Sequence, residues 1–295
     1  MASHDTRRVN PGAQVDKLYV GAATKVNPHL VDDTSVPSPV GLMTPRTITG
    51  IDFNGSDEYL TLATDSDFDF DYNDAFSISA WLNWTNTSQD TIISKMVSGG
   101  TYRGWALDVK SRKPHFYLIN TWSSHTLYVN AETGVVPGSF PPRWSNVIVT
   151  YDGSTNASGV TFYADGMDLG ALTVTYNSLD SGESTTNSTA VLIGQRTSAG
   201  YFDGNISNVS VWNKELSAAE AIDVWNYGIL PDLNSHSAAA NLVAWWKCGT
   251  GDNGAGTPDS TDSDDAASRI YDMSSNSHNM TPVNMDDDEI KSVVG

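Results

Sequence analysis

The residues best suited to chemistry in this chain are aromatic. The run LINTWSSHTLYVN places Trp122, His125 and Tyr128 close together among Asn120, Ser123 and Ser124, and GGTYRGW adds Tyr102 and Arg103. A flat ring gives a sugar a face to stack on, while amide, hydroxyl, imidazole and guanidinium groups can hydrogen-bond its hydroxyls. Glycan binding is the chemistry this suggests. With nine tryptophans in the chain, most must pack in a core or at an edge. Trp122, set among small polar residues, is the one expected to be exposed.

Other chemistries find less support. Glycoside hydrolysis needs two carboxylates about 5–9 Å apart, which a strand supplies with acids at i and i+2 or i+4. Glu58, Glu132, Glu183, Glu215, Glu220 and Glu289 fall mostly in turns or on a helical pattern. The dense MDDDEIK, 285–291, reads as a solvated tail. No Ser-His-Asp spacing or phosphate-cradling glycine loop appears, so no enzymatic activity is expected. The six histidines show no paired ligand spacing, which argues against zinc. ATDSDFDFDYND, 63–74, is rich in Asp but lacks the Gly and terminal Glu of an EF-hand. It reads as a polar loop with Phe68 and Phe70 tucked beneath a sandwich.

The chain of 295 residues is 39 % hydrophobic and 10 % aromatic, enough for a sizeable core. Its 35 acids against 16 bases give a net charge of -19. Such a field repels phosphate backbones and anionic bilayers, so neither nucleic acid nor membrane is an expected partner. A single cysteine, Cys248, permits no internal disulfide. The amino terminus lacks the apolar stretch of a signal peptide, which suggests synthesis in a cytoplasm. The eight Asn-x-Ser/Thr sequons are then read as accidental.

The elements that must position the aromatics are strands. From Thr47 onward, TITGIDFNGSDEYLTLA alternates, with Ile48, Ile51, Phe53, Tyr59 and Leu62 as core candidates around an Asn54-Gly55 turn. FSISAWLNW puts Phe76, Ile78, Ala80 and Leu82 on one face and Trp81 on the other. TIISKMV, GWALDVK, PHFYLIN, TLYVNAE, WSNVIVTYDG, VTFYADGMDLG, AVLIGQR and GNISNVSVWNK follow, broken by Gly, Asp, Asn or Pro, with a two-residue hairpin at Asp165-Gly166. More than ten short strands without intervening helices predict two packed antiparallel sheets. One helix is marked by a Ser217/Glu220 capping box, with Ile222 and Trp225 on a shared face and Gly228 at its end. Residues 1–46 are punctuated by prolines and hold no lasting pattern. They are expected to form an extended arm held by the sandwich or by a neighbouring chain.

The ordered series IDFNGSDEYL, FSISAWLNW, WSNVIVTYDG, TFYADG, LIGQR and FDGNISNVSVWNKELSAAE resembles the laminin-G-like, concanavalin-A-like jelly-roll domains, including members found in bacteriophage virions. Asn54 departs from the Asp that many members carry. The resemblance implies an all-β jelly-roll sandwich with one short helix. In many relatives a strand like LVAWWKCG and an Asp-x-Ser-x-Asn-x-His segment like DMSSNSHNM precede this series, whereas here both come last. That implies either a circular permutation, residues 47–295 being one domain with 241–285 completing the sandwich, or a small appendage over 232–295. On the permuted reading Val243 and Trp245 face the core and Trp246 packs under a loop or the arm. The resemblance also implies one structural calcium ion, with Asp57 and Asp203 as matching ligands. Two functions follow. One is a virion structural protein, a capsid decoration or fibre-associated component, with the arm gripping the particle or a copy of itself and the sandwich meeting host-surface glycans. The other is a carbohydrate-binding lectin or adhesin not tied to a particle.

Overall fold

The computed structural model describes residues 47–84, 87–134, 144–196, 199–249, 269–286 and 290–294. The expected arm, 1–46, and most of the acidic glycine-rich stretch, 250–268, lie outside them. In chain order the strands begin with β1 (Thr47–Asn54), β2 (Tyr59–Leu62), β3 (Phe76–Asn83), β4 (Asp90–Met96), β5 (Gly104–Lys110) and β6 (Lys113–Thr121). Next come β7 (His125–Ala131), β8 (Ser145–Tyr151), β9 (Val160–Ala164), β10 (Met167–Asp168) and β11 (Leu172–Asn177). The last are β12 (Val191–Ile193), β13 (Asp203–Trp212), β14 (Leu242–Trp246), β15 (Thr281–Val283) and β16 (Ile290–Val294). One helix, α1 (Ala218–Trp225), follows β13.

These strands form two antiparallel sheets of eight, a jelly-roll sandwich. The first runs β10-β9-β8-β3-β13-β1-β16, with β14 beside β1 along the long β13. The second runs β11-β7-β6-β5-β4-β12-β2-β15. The final strands are therefore part of both sheets: β14 and β16 pair into the first, β15 into the second. Between the sheets lies the main core, built from inward residues such as Phe53, Phe76, Ile78, Leu82, Leu107, Phe116, Leu118, Val149 and Ile206. Alternation explains this set, since successive side chains leave a strand on opposite faces. Asp165 and Gly166, at φ 48° and 74°, make the tight β9–β10 turn.

Several local expectations change. In β2 it is Leu60 that is fully buried, while Tyr59 and Leu62 are half-covered at the sheet margin. Trp246, not Trp245, enters the main core, where it stacks on Phe68 at 6.0 Å. Trp245 lies on the outer face, near α1. A register shift in the β13–β14 pairing causes the exchange: Val211 faces Ala244 but Trp212 faces Leu242, leaving Val243 as an extra residue. Simple alternation through that bulge inverts every position after it. The helix has its capping box but buries Ala221 and Val224, with Ile222 and Trp225 half-exposed. Asn226, in the left-handed conformation, ends it two residues before Gly228. The stretch read as a solvated tail contains the start of β16, which pairs with β1 from Thr47↔Val294 to Ile51↔Ile290.

Phe68 and Phe70 are buried beneath the 63–74 loop as expected. The loop is fastened from below: buried Lys95 donates to Asp69 Oδ1 and to the Asn187 carbonyl, each at 2.6 Å, and Trp105 Nε1 donates to the Phe68 carbonyl.

Candidate functional site

On the outer face of the second sheet, three neighbouring strands each contribute a tyrosine at one level. Tyr117 on β6 pairs directly with Tyr128 on β7, and Tyr128 with Tyr176 on β11. The first two rings stack, 4.3 Å apart and 19° from parallel. Cross-strand neighbours of this kind hold one another in place. Above them stands Trp122, in the turn between β6 and β7, 38 % exposed and edge-on to Tyr176 at 5.5 Å. Tyr102, in the loop between β4 and β5, meets Trp122 at 5.9 Å and is 40 % exposed. Its φ of 54° is unusual for a bulky residue. The Trp122 backbone N–H donates to the Thr101 carbonyl at 2.9 Å, joining the two loops.

These rings enclose a cleft of about 390 Å³, floored by Tyr117, Ile119 and Met96. Polar groups line its other side. Arg196 lies over the Tyr117 ring, 5.4 Å from its centre, and pairs with Asp108 at 2.9 Å. Gln89 Nε2 donates to Asp108 at 2.7 Å and to the Tyr117 hydroxyl at 3.0 Å. Asp108 is fully buried, and Oδ1 has no hydrogen-bond partner among the described residues. Burial pushes its carboxyl up, against the pull of Arg196. Burial, with Asp108 nearby, also raises the Tyr117 hydroxyl, so it remains a neutral donor and acceptor. His115, beneath Tyr128 with Nδ1 3.0 Å from its hydroxyl, is depressed to about 4 by burial and then by Lys110. Exposed rings beside a guanidinium and amide can stack a sugar and hydrogen-bond its hydroxyls.

Of the five residues proposed from sequence, Tyr102, Trp122 and Tyr128 line this cleft. His125 is instead 3.5 Å from Asp180, and Arg103 follows Tyr102 outside the lining, its carbonyl accepting from Asn187. Sequence reading missed Tyr117, Gln89, Lys110 and Arg196. For Tyr117 the signal was present, since PHFYLIN alternates with Phe116 inward; Gln89 and Arg196 sit in loops without such a pattern.

The two expected calcium ligands, Asp57 and Asp203, lie by the end of β1. Asp57 is exposed and its Oδ1 accepts from Asn54 Nδ2 at 2.9 Å, within the turn after β1. Asp203 opens β13 opposite Asn54. Beside it Asp90 is buried, with Oδ2 lacking a hydrogen bond among the described residues. Burial, and then the charge of Asp203, raises Asp90 to about 6. Two close carboxylates with an orphaned oxygen suit an oxygen-seeking cation. Asp90 therefore joins Asp57 and Asp203 as a carboxylate near the end of β1 and start of β13.

The profile of a protein family, Laminin_G_3, described as the concanavalin A-like lectin/glucanases superfamily, matches residues 54–221. No curated protein sequence matches the chain. Among solved structures, a protein from Bacteroides ovatus provisionally described as carbohydrate binding is similar with a TM-score of 0.52 and 16 % identity. That likeness covers 85 % of this chain, which spans only 61 % of the other protein's length. A native heptameric SAP-like pentraxin from Limulus polyphemus gives 0.41 and 17 % over 60 % of this chain and 82 % of its own. Domains LG4-5 of the mouse laminin alpha1 chain give 0.40 and 10 % over 58 % and 46 %. At 16 % identity the likeness to the Bacteroides ovatus protein establishes fold alone.

Proposed function

The chain belongs to the concanavalin A-like lectin/glucanases superfamily, and from that premise we propose that it is a non-catalytic glycan-binding module whose site is the cleft beside Trp122. The observation that carries the reading is the exposed pair Trp122 and Tyr102 over stacked Tyr117 and Tyr128, with Arg196 and Gln89 alongside. Exposed aromatic area of this kind costs solubility and is retained where something binds it. The residues around the cleft also speak against hydrolysis. Asp108, the carboxylate beneath it, is buried and tied to Arg196, so it is not free to act with a second acid on a glycosidic bond. The protein of Bacteroides ovatus, described as carbohydrate binding, points the same way. A structural calcium ion held by Asp203, with Asp57 or Asp90 as its second carboxylate, belongs to the proposal. The test is a glycan array probed with the full chain and with Trp122→Ala. Retention of a defined glycan class by the first and its loss by the second is expected; equal retention by both would sink the assignment.

A second reading places the same module on a virion, as a capsid decoration or fibre-associated protein. The feature favouring it is residues 1–46, a proline-punctuated stretch without a core pattern ahead of the sandwich. On this reading those residues grip a particle protein or another copy, while the cleft meets host-surface glycan. Light scattering on the full chain and on one starting at Thr47 tests it. A defined oligomer that becomes a monomer on truncation supports the anchoring role; two monomers count against self-assembly through the arm.

A further inference from the structure

We propose that Asp65, Asp67 and His278 form a binding site for a first-row divalent cation of the Zn²⁺ type, which clasps the C-terminal segment to the turn after β2. Asp65 and Asp67 flank a single 3-10 turn, Ser66–Phe68, and Asp65 Oδ1 accepts from the Asp67 N–H at 2.9 Å. Their other oxygens converge on one imidazole: Asp65 Oδ2 is 3.2 Å from His278 Nδ1, and Asp67 Oδ2 is 3.2 Å from Nε2. One ligand atom from each residue can be chosen so that all three lie within 4.8 Å of one another.

The imidazole is built into place. Its side chain is only 7 % exposed, and its ring lies edge-on to Phe68 at 5.0 Å. The His278 N–H donates to Asp272 Oδ2, and its carbonyl accepts from Trp246 Nε1 at 2.7 Å. Asp272 in turn accepts from the backbone N–H groups of Trp245 and Ser274, and Asn276 donates to the carbonyls of Leu242 and Val243. The first three members of the Asp-x-Ser-x-Asn-x-His pattern thus spend their side chains on fixing the turn. The fourth presents a ring to two carboxylates.

Buried Nε2 makes no hydrogen bond among the described residues, although Asp67 is 3.2 Å away. The contact does not meet hydrogen-bond geometry, and an ion between the two atoms would satisfy both. With metal–ligand bonds of about 2.0–2.2 Å, neighbouring ligands in a tetrahedron are about 3.3–3.5 Å apart, close to the 3.2 Å between Nε2 and Asp67 Oδ2, and Asp65, which faces Nδ1, would turn to the same ion. A buried polar atom left unmatched is costly, and coordination would offset that. Asp67 is 58 % exposed, so its carboxylate can swing to the ion and water can fill an open position. One imidazole nitrogen with two carboxylate oxygens favours Zn²⁺ or Mn²⁺ over Ca²⁺, which takes oxygen ligands. His278 stands more than two hundred residues from its partners, which is why ligand spacing along the sequence gave no sign of zinc.

The test uses the full chain, stripped with EDTA and titrated with ZnCl₂ by calorimetry, alongside Asp67→Asn and His278→Gln. One equivalent should bind the wild type, at least about tenfold more weakly in Asp67→Asn, and not at all in His278→Gln. At one Zn²⁺ concentration the melting temperature should rise more in the wild type than in Asp67→Asn. If His278→Gln fails to fold, Asp67→Asn decides alone. No uptake by the wild type overturns the proposal, as does equal uptake by wild type and variant.

Discussion

The two sheets treat their outer faces differently. On the first, Ile148, Tyr163, Trp212 and Trp245 form an apolar layer, and the chain covers it with Leu216, Ala221 and Val224 from α1 and its approach, and with Leu233 and Ala238 beyond. On the second, Met96, Ala106, Tyr117 and Ile119 form a layer of similar kind, bordered by Tyr128. There the covering groups are Trp122 and Tyr102, both half-open to solvent over a cleft. One outer face is covered by the protein's own helix; the other carries a cleft edged by two half-open rings. The lesson is that aromatic content alone does not mark a site, since Trp212 and Trp122 are the same residue type in opposite roles.

The largest expected effect breaks the covered side. Trp212 is fully buried, donates from Nε1 to Ser210 Oγ at 3.0 Å and meets His236 edge-on. Trp212→Ala should cost about 3–5 kcal/mol in urea unfolding through the cavity it leaves. A loss below about 1 kcal/mol would mean the helix is an ornament rather than a cover.

Acid separates the faces next. His115, under the open face, has its pKa lowered from 6.5 to about 4. The folded form therefore holds its proton less tightly than the unfolded one. Stability is unaffected above pH 6.5 and falls as pH drops from there towards 4. After allowance for partial solvent screening the loss is about 2 kcal/mol. His115→Gln should flatten that slope in melts taken from pH 7 to pH 4; an unchanged slope would put the acid sensitivity elsewhere.

A smaller effect probes the cover's attachment. Ser217 Oγ accepts from the Glu220 N–H, and Glu220 reaches back to the Ser217 N–H. Ser217→Ala should cost about 1 kcal/mol and leave glycan binding intact. Calorimetric melts beside a binding curve would check both halves.

The architecture was largely readable from residues. Alternation in FSISAWLNW and GWALDVK, the Asp165-Gly166 turn and the Ser217/Glu220 box all report local geometry, and each appears where expected. What was hidden depended on partners far along the chain. The bulge at Val243 reverses Trp245 and Trp246, and it exists only in the pairing with β13. β11 was passed over although LTVTYN alternates Leu172, Val174 and Tyr176 with polar residues; it is a mostly exposed edge strand. β16 was masked by the acids before it. In the cleft, exposed aromatics among polar neighbours pointed to Trp122, Tyr102 and Tyr128. The buried pair of Asp108 and Arg196, eighty-eight positions apart, could come only from the fold.

A modest change in stability accompanies the central claim. Trp122 is outside the main core but packs on Tyr102 and Tyr176, so Trp122→Ala should cost about 1 kcal/mol, well below Trp212→Ala. The deciding measurement is a calorimetric titration of one array-selected glycan into wild type, Trp122→Ala and Trp212→Ala under conditions where each is folded. Affinity should fall at least about tenfold in Trp122→Ala, roughly 1.4 kcal/mol, and stay at the wild-type value in Trp212→Ala. Wild-type affinity in Trp122→Ala would contradict the account and move any glycan site away from the open face.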